Sequence, residues 1–365
     1  MATSAVSVEL QAVGRDFGTF TALHDIDLDI RPGEFASLLG PSGCGKTTTL
    51  RLIAGFESPS RGRIILGGQD VTRLPPNRRN LGMVFQNYAL FPHMTVAENI
   101  GFGLKMAGMD KSTIAKKVAR MLDIIRLAQH ADRMPAQLSG GQQQRVAIAR
   151  SLVNEPSVLL LDEPMGALDK NLRQSMQSEL RQMQQDFAIT AILVTHDQDE
   201  ALTMSDRVVV MESGHIRQIG TPAEVYDRPS SSFVANFLGA TNNLPAEVVA
   251  PGRVALRLPG ASTVPMPART GDLTGAVRLG IRPERITMRD TPPDGAEQVA
   301  LQGAVTGHVF RGATREYLVS VGAGAPPISV TEQGNADEDR PIRTAGTPVW
   351  LSWSPQKHSI FAEQS

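Results

Sequence analysis

Residues 35–47 read Phe35-Ala36-Ser37-Leu38-Leu39-Gly40-Pro41-Ser42-Gly43-Cys44-Gly45-Lys46-Thr47, an apolar run that ends in a glycine-rich turn and opens a helical pattern. From Gly40 the spacing is G-x-x-x-x-G-K-T, a loop whose backbone N–H groups can curl around phosphate oxygens because glycine has no Cβ to obstruct them. The helix start adds partial positive charge. Gly40, Pro41, Ser42, Gly43, Cys44, Gly45, Lys46, Thr47 and Thr48 are therefore the expected nucleotide-binding residues. Lys46 reaches the β- and γ-phosphates in this reading, Thr47 offers its hydroxyl to Mg²⁺, and Thr48 adds a hydroxyl near the α-phosphate. A thiol in an electropositive loop at a helix start is expected to have a lowered pKa, which would make Cys44 open to alkylation.

Working outward, short apolar runs at 35–39, 158–161, 192–195 and 208–211 alternate with helical patterns, so buried parallel strands are expected. Val158-Leu159-Leu160-Leu161-Asp162-Glu163 delivers two carboxylates at the carboxyl end of its strand, where α/β sheets place their ligands. Asp162 is expected to hold Mg²⁺, and Glu163 to orient or deprotonate an attacking water. Ile192-Leu193-Val194-Thr195-His196 ends another strand and puts His196 at a strand-to-helix corner, where it can sense a γ-phosphate. Asp197 and Glu200 have the spacing of a capping box for the next helix.

The 365 residues predict roughly two domains. Lys and Arg total 36 against 37 Asp and Glu, so no global charge draws the chain to nucleic acid or an anionic membrane. Cys44 is the sole cysteine, which excludes an intrachain disulfide and points to a reducing compartment. The N-terminus lacks a secretory pattern, and no run approaches the ~18 apolar residues of a membrane span. Gly and Pro make up 31 of residues 1–239 but 26 of residues 240–365, which places a boundary after Phe237-Leu238-Gly239. Alternating segments at 253–258, 276–279, 304–309, 317–321 and 349–353 make the second part an expected antiparallel barrel or sandwich, with Trp350 and Trp353 in its core. No basic run with interleaved aromatics appears there, so nucleic acid is not an expected partner.

Leu138-Ser139-Gly140-Gly141-Gln142 opens the helical run to Leu152 and forms a second anion site that one nucleotide does not need. Here the sequence resembles the ATPase subunits of ABC transporters, in which this signature of one subunit closes over the γ-phosphate held by the other. The resemblance implies an α/β P-loop NTPase of the ABC type with a helical subdomain at about 87–155, followed by an OB-like all-β domain over 240–365. It also implies a homodimer with two ATP molecules at the interface. Gln86 looks like the glutamine between Mg²⁺ and the membrane-subunit contact. Asp169, in Gly166-Ala167-Leu168-Asp169, resembles the aspartate that links the two sites across the dimer, although Gly166 replaces the usual serine. Phe17 is similar to the aromatic that stacks on adenine, with Phe20 as its rival.

The implied activity is ATP hydrolysis that powers solute import from the cytoplasmic face of the bacterial inner membrane, as a peripheral subunit. Its partners would be two integral membrane permease subunits and, indirectly, a periplasmic solute-binding protein. The stretches 85–96 and 237–239, with Leu279-Gly280-Ile281-Arg282-Pro283-Glu284, look most like importers of the spermidine/putrescine group. Ferric iron, aminoethylphosphonate and sugar importers are the alternatives, and a soluble non-transport ABC ATPase is the alternative from another class.

Overall fold

The computed structural model describes residues 5–166, 169–260, 263–267, 273–293, 299–334 and 342–363. The chain divides into two compact units, Met1–Ala223 and Glu224–Ser365.

The first unit opens with the hairpin β1 (Val8–Phe17) and β2 (Phe20–Ile30), followed by β3 (Phe35–Leu39), α1 (Lys46–Ala54), β4 (Arg61–Leu66), β5 (Gln69–Asp70) and β6 (Leu81–Val84). Helices α2 (Val96–Met106), α3 (Lys111–Ile124) and α4 (Gly140–Leu152) come next. The chain then alternates β7 (Val158–Asp162), α5 (Lys170–Asp186), β8 (Thr190–Thr195), α6 (Gln198–Met204), β9 (Arg207–Glu212) and β10 (His215–Gly220). One sheet has the order β2-β1-β4-β5, all antiparallel, and the other the order β10-β9-β3-β8-β7-β6. In the second sheet only β10 runs against its neighbour. The four strands expected from the apolar runs are β3, β7, β8 and β9.

All five residues of β3 are buried, as a strand flanked on both sides and covered on both faces requires. One core, with Leu10, Leu38, Leu50, Ile53 and Val194, lies between the two sheets. The other, with Ile100, Val146, Leu161, Met176 and Leu180, lies between the large sheet and helices α2, α4 and α5. The parallel register puts the carboxyl ends of β3, β8, β7 and β6 along one edge, so the loops that leave them meet there.

The chain between β6 and α2 turns through left-handed backbone at Tyr88 and Ala89, with φ of 60° and 46°. Arg150 of α4 holds this turn by donating to the carbonyls of Ala89 at 2.8 Å and Tyr88 at 2.9 Å. Farther on, the fully buried Asn99 accepts from the Phe91 amide at 2.8 Å and donates to the carbonyls of Phe91, Met94 and Thr95 at 3.0–3.1 Å. Helix α2 itself starts at a capping box between Thr95 and Glu98.

The second unit takes in most of α7 (Pro222–Asp227) and then α8 (Ser232–Phe237), β11 (Asn242–Ala250), β12 (Arg253–Leu256), β13 (Thr263–Pro265), β14 (Ala276–Ile281) and β15 (Thr287–Arg289). It ends with β16 (Val299–Phe310), β17 (Thr314–Ser320), β18 (Ile328–Gln333), β19 (Pro348–Trp353) and β20 (Ser359–Ala362). Two antiparallel sheets, β13-β12-β11-β14-β20 and β15-β19-β16-β17-β18, share one core that includes Leu244, Leu279, Val319, Leu351 and Trp353. Trp353 belongs to that core as expected, but Trp350 is only half-buried because the strand's alternation turns it to the other face. Residues 224–239, which the composition shift groups with the first part, bond to the turn that follows β14. Arg282 donates to the carbonyls of Ala235 at 3.0 Å and Tyr226 at 3.3 Å, and Tyr226 donates to Glu284 at 2.7 Å.

Asn99→Leu keeps the volume but leaves the Phe91 amide and the Met94 carbonyl without a partner and removes one of two donors from the carbonyls of Phe91 and Thr95. It should lower the unfolding free energy by about 2–4 kcal/mol, measured by urea titration followed by far-UV circular dichroism.

Candidate active site

The loop between β3 and α1 is shaped by glycine. Gly45 caps α1 with φ 104° in the left-handed region, and a Cβ there would lie 2.5 Å from Leu23 Cδ2 and 3.0 Å from the Ala22 carbonyl oxygen. No other residue type fits both the backbone angle and the space. Thr49 closes the first turn by donating to the Gly45 carbonyl at 2.9 Å. The buried Lys46 ammonium donates to the carbonyls of Gly40 at 2.6 Å and Pro41 at 3.0 Å, so its charge lies inside the loop, with no ion pair to a carboxylate among the described residues. This arrangement suits an incoming anion, whose oxygens can exchange for the carbonyls.

Cys44 corrects one expectation. Its thiol is 2 % exposed and packs in the inter-sheet core, because Gly40 leaves room for the sulfur beside Met211. Burial pushes the thiol pKa up, and the Lys46 charge opposes this only in part. Cys44 contributes to the loop through its backbone: its carbonyl accepts from the Gly214 amide at 3.1 Å.

Five of the expected residues meet at the sheet edge. Thr47 Oγ1 lies 3.5 Å from Asp162 Oδ1, and Glu163 is held on both carboxylate oxygens. Gln86 Nε2 donates to Glu163 Oε2 at 3.2 Å, and His196 Nδ1 lies 3.1 Å from Glu163 Oε1. Glu163 adopts left-handed backbone with φ 44°, a conformation a side chain rarely takes, while its amide donates to the Val194 carbonyl at 3.0 Å. Desolvation by burial raises the Asp162 pKa and the neighbouring Glu163 charge adds to it, with Arg51, Thr47 and Lys46 opposing.

Two adjacent carboxylates and a hydroxyl form a hard oxygen donor set, the kind Mg²⁺ takes when phosphates and water complete its shell. Among the described residues no cluster of three or more His, Cys, Asp or Glu side chains could hold a metal by itself. Arg51, one helical turn beyond Thr47, was not singled out from the sequence; its i,i+4 spacing from Thr47 was the available signal.

The remaining expected residues lie apart from this cluster. Ser139 caps α4 in a capping box with Gln142, with bonds of 3.3 and 2.9 Å, and Ser139 and Gly140 are exposed while Gly141 packs under Leu172. Among the described residues the hydrogen bonds of Leu138–Gln142 are all local, so within one chain this element does not complete the phosphate loop. Asp169 caps α5 by accepting from the Leu172 amide at 3.0 Å. A Cβ on Gly166 would meet only the Glu163 carbonyl oxygen, at 3.7 Å, so packing does not demand glycine there. Ala167 and Leu168 lie outside the described residues.

Asp197 caps α6 by accepting from the Glu200 amide at 3.2 Å, but the reciprocal half of the expected box is missing. Glu200 instead accepts from the Thr195 hydroxyl at 2.7 Å, and that hydroxyl oxygen accepts from the Asp197 amide at 2.9 Å. Phe17 and Phe20 are 44 % and 62 % exposed at the β1–β2 hairpin tip, which removes both from the core.

A model of the ABC transporter family matches residues 23–166, and a TOBE domain model matches residues 279–361. The chain is 51 % identical over 347 residues to the spermidine/putrescine import ATP-binding protein PotA of Thermobifida fusca, covering 94 % of this chain and 89 % of that one. It is 48 % identical over 318 residues to the Fe(3+) ions import ATP-binding protein FbpC of Rhizobium etli, covering 87 % and 88 %. Among solved structures, the dimeric post-hydrolysis ATP-binding cassette MJ0796 bound to ADP and Pi superposes with a TM-score of 0.53 at 32 % identity, over 59 % of this chain and 98 % of that one. Fold, site and relatives define a P-loop ATPase with a C-terminal β domain. The chain belongs to the ABC transporter family, as an ATP-binding subunit with a TOBE domain.

The buried thiol predicts that Cys44 in the native protein reacts with N-ethylmaleimide at least ~100-fold more slowly than in urea, with little change on adding ATP; mass spectrometry of timed quenches reads this out. Asp162 gives a pH-dependent prediction. A carboxyl whose folded pKa is raised costs stability once pH exceeds its ordinary value, and costs nothing where both states are protonated. Asp162→Asn should therefore raise the melting temperature of the nucleotide-free protein at neutral pH, and the gain should vanish as pH falls below the ordinary aspartate pKa of about 3.9; scanning calorimetry across pH checks this.

Proposed function

We propose that this chain is the ATP-hydrolysing subunit of an importer, acting as a homodimer under two membrane permease subunits and taking its solute, indirectly, from a periplasmic binding protein. Lys46 and the backbone N–H groups of residues 42–45 hold the β- and γ-phosphates of ATP, Thr48 borders the α-phosphate, and Phe17 stacks on adenine. Thr47 and Asp162, with Gln86 beside them, would hold Mg²⁺, which when bound offsets the negative charge of the phosphates.

Glu163 is the catalytic base in this reading. Its carboxylate, fixed by Gln86 and His196, accepts a proton from water as the water oxygen bonds to the γ-phosphorus and the bond to the β-phosphate oxygen breaks. His196 donates to Glu163 through Nδ1, and its Nε2 edge is the part left to meet the γ-phosphate. The single observation that carries the assignment is the Glu163 carboxylate held on both oxygens at the carboxyl edge of the sheet, beside the phosphate loop.

The second half of the binding surface is supplied in trans. Ser139 and the exposed amide end of α4 form an anion site that has no phosphate partner within its own chain, and the related cassette described above is itself dimeric. Closure of two chains around two ATP molecules, and reopening after phosphate leaves, is the motion the permeases convert into alternating access. Asp169, at the start of α5, links the two sites across the dimer. The TOBE-containing second unit stabilises or regulates this dimer.

Spermidine or putrescine is the solute class favoured by the relatives, with ferric iron as the reading supported by the R. etli protein. No helix among the described residues is long and apolar enough to cross a membrane. A peripheral position on the cytoplasmic face, held by the permeases, follows from the proposed role.

Glu163→Gln should bind Mg-ATP and elute as a nucleotide-dependent dimer while its steady-state phosphate release falls by about 10²-fold or more. Unchanged turnover would remove Glu163 from the role of base.

A further inference from the structure

The β1–β2 hairpin presents two exposed aromatics at its tip, paired across the turn, and they differ in one respect. The Arg15 guanidinium carbon lies 4.3 Å from the centroid of the Phe17 ring, whereas Phe20 has no ring or cation contact among the described residues. Arg15 is itself pinned: its Nη1 donates to the Ser58 carbonyl at 2.9 Å, and its Nε lies 3.4 Å from a Glu57 carboxylate oxygen.

The neighbouring residue fastens the same stretch. The Asp16 amide donates to Ser60 Oγ at 3.0 Å, and the Asp16 carboxylate accepts from Thr21 Oγ1 and from Arg61, both at 2.8 Å. The hairpin tip is therefore tied to the chain that leads into β4. Farther along β2, Ala22 and Leu23 back directly onto Gly45 of the phosphate loop. Three residue steps along the strand separate Leu23 from Phe20, about 10 Å, so the tip stands beyond the phosphate loop by the scale that separates a triphosphate from its base.

We propose that Arg15 is a positioning residue for the nucleotide base: it covers the protein-side face of Phe17 and fixes the ring so that the opposite face meets the adenine. This rests on the reading of Phe17 as the stacking residue. Two physical effects act together. A ring already held by a pinned guanidinium loses less conformational freedom when the base arrives. The cation also draws π density toward the covered face, which leaves the free face more receptive to an electron-rich purine. A lysine cannot reproduce this, because it lacks the planar fork that bonds to Ser58 while lying flat on the ring.

The test measures dissociation constants of the full-length protein for Mg-ATP and for inorganic tripolyphosphate, which has no base, together with thermal unfolding. Arg15→Ala should weaken ATP by about three- to tenfold, leave tripolyphosphate and the melting temperature unchanged, and have no further effect in a Phe17→Ala background. Arg15→Gln, which keeps a donor for Ser58 but loses the charge, should behave alike and serves if the alanine variant does not fold. Phe17→Ala should weaken ATP at least as much as Arg15→Ala does. If Phe17→Ala weakens ATP while the Arg15 variants do not, the role of Arg15 is overturned and the stacking role of Phe17 stands. Phe17→Ala without effect overturns both. Equal weakening of tripolyphosphate, or tighter ATP binding in Arg15→Ala, also overturns the proposal, since Arg15 would then support the loop generally or occupy the face the base needs.

Discussion

One turn of backbone governs this molecule. Gly45 must take a left-handed conformation against Ala22 and Leu23, and only then does α1 begin where its free amides and the Lys46 ammonium face the same concavity. The rest of the first unit serves that turn. The fully buried strand β3 delivers it, the antiparallel sheet backs it through β2, and the β9–β10 hairpin bonds to it from Gly214 to Cys44. Parallel neighbours then bring Asp162, Glu163 and His196 to the same edge, because strands that run in one direction end on one side.

Buried polar side chains set the positions of the loops that carry chemistry. Asn99 and Arg150 hold the chain after Gln86 in place, and they do so with backbone carbonyls as partners. Glu163 is reached from both sides, by a loop residue after β6 and another after β8, so its orientation depends on both loops. A shift in either loop would move the Glu163 carboxylate.

The phosphate loop, the acidic strand end and the histidine corner were legible because each is a local pattern: a short apolar run followed by residues whose chemistry the turn exposes. Side-chain direction within those patterns was not. Cys44 lies in an electropositive stretch of sequence, but Gly40 opens a space in the core that takes its sulfur, and only the fold reveals that space. Asp197 and Glu200 have the spacing of a reciprocal cap, yet the Thr195 hydroxyl intervenes, accepting from the Asp197 amide and donating to the Glu200 carboxylate. Nothing in the sequence gives the partners of Arg15, Arg150 and Arg282. Each proves to be bonded to carbonyls far along the chain, which no periodicity encodes. The second unit was legible as antiparallel strands, while the attachment of residues 224–239 to it depends on Arg282 and Tyr226.

The central claim is that nucleotide is shared between two identical chains, each contributing its lysine-bearing turn to one site and its α4 cap to the other. Cross-linking tests it most directly, with Ser42→Cys and Ser139→Cys introduced together into a Glu163→Gln, Cys44→Ser protein and a short bifunctional thiol reagent. A covalent dimer that forms with Mg-ATP and not without it is the predicted result; no cross-linked dimer under ATP saturation, or the same yield with and without nucleotide, would contradict it.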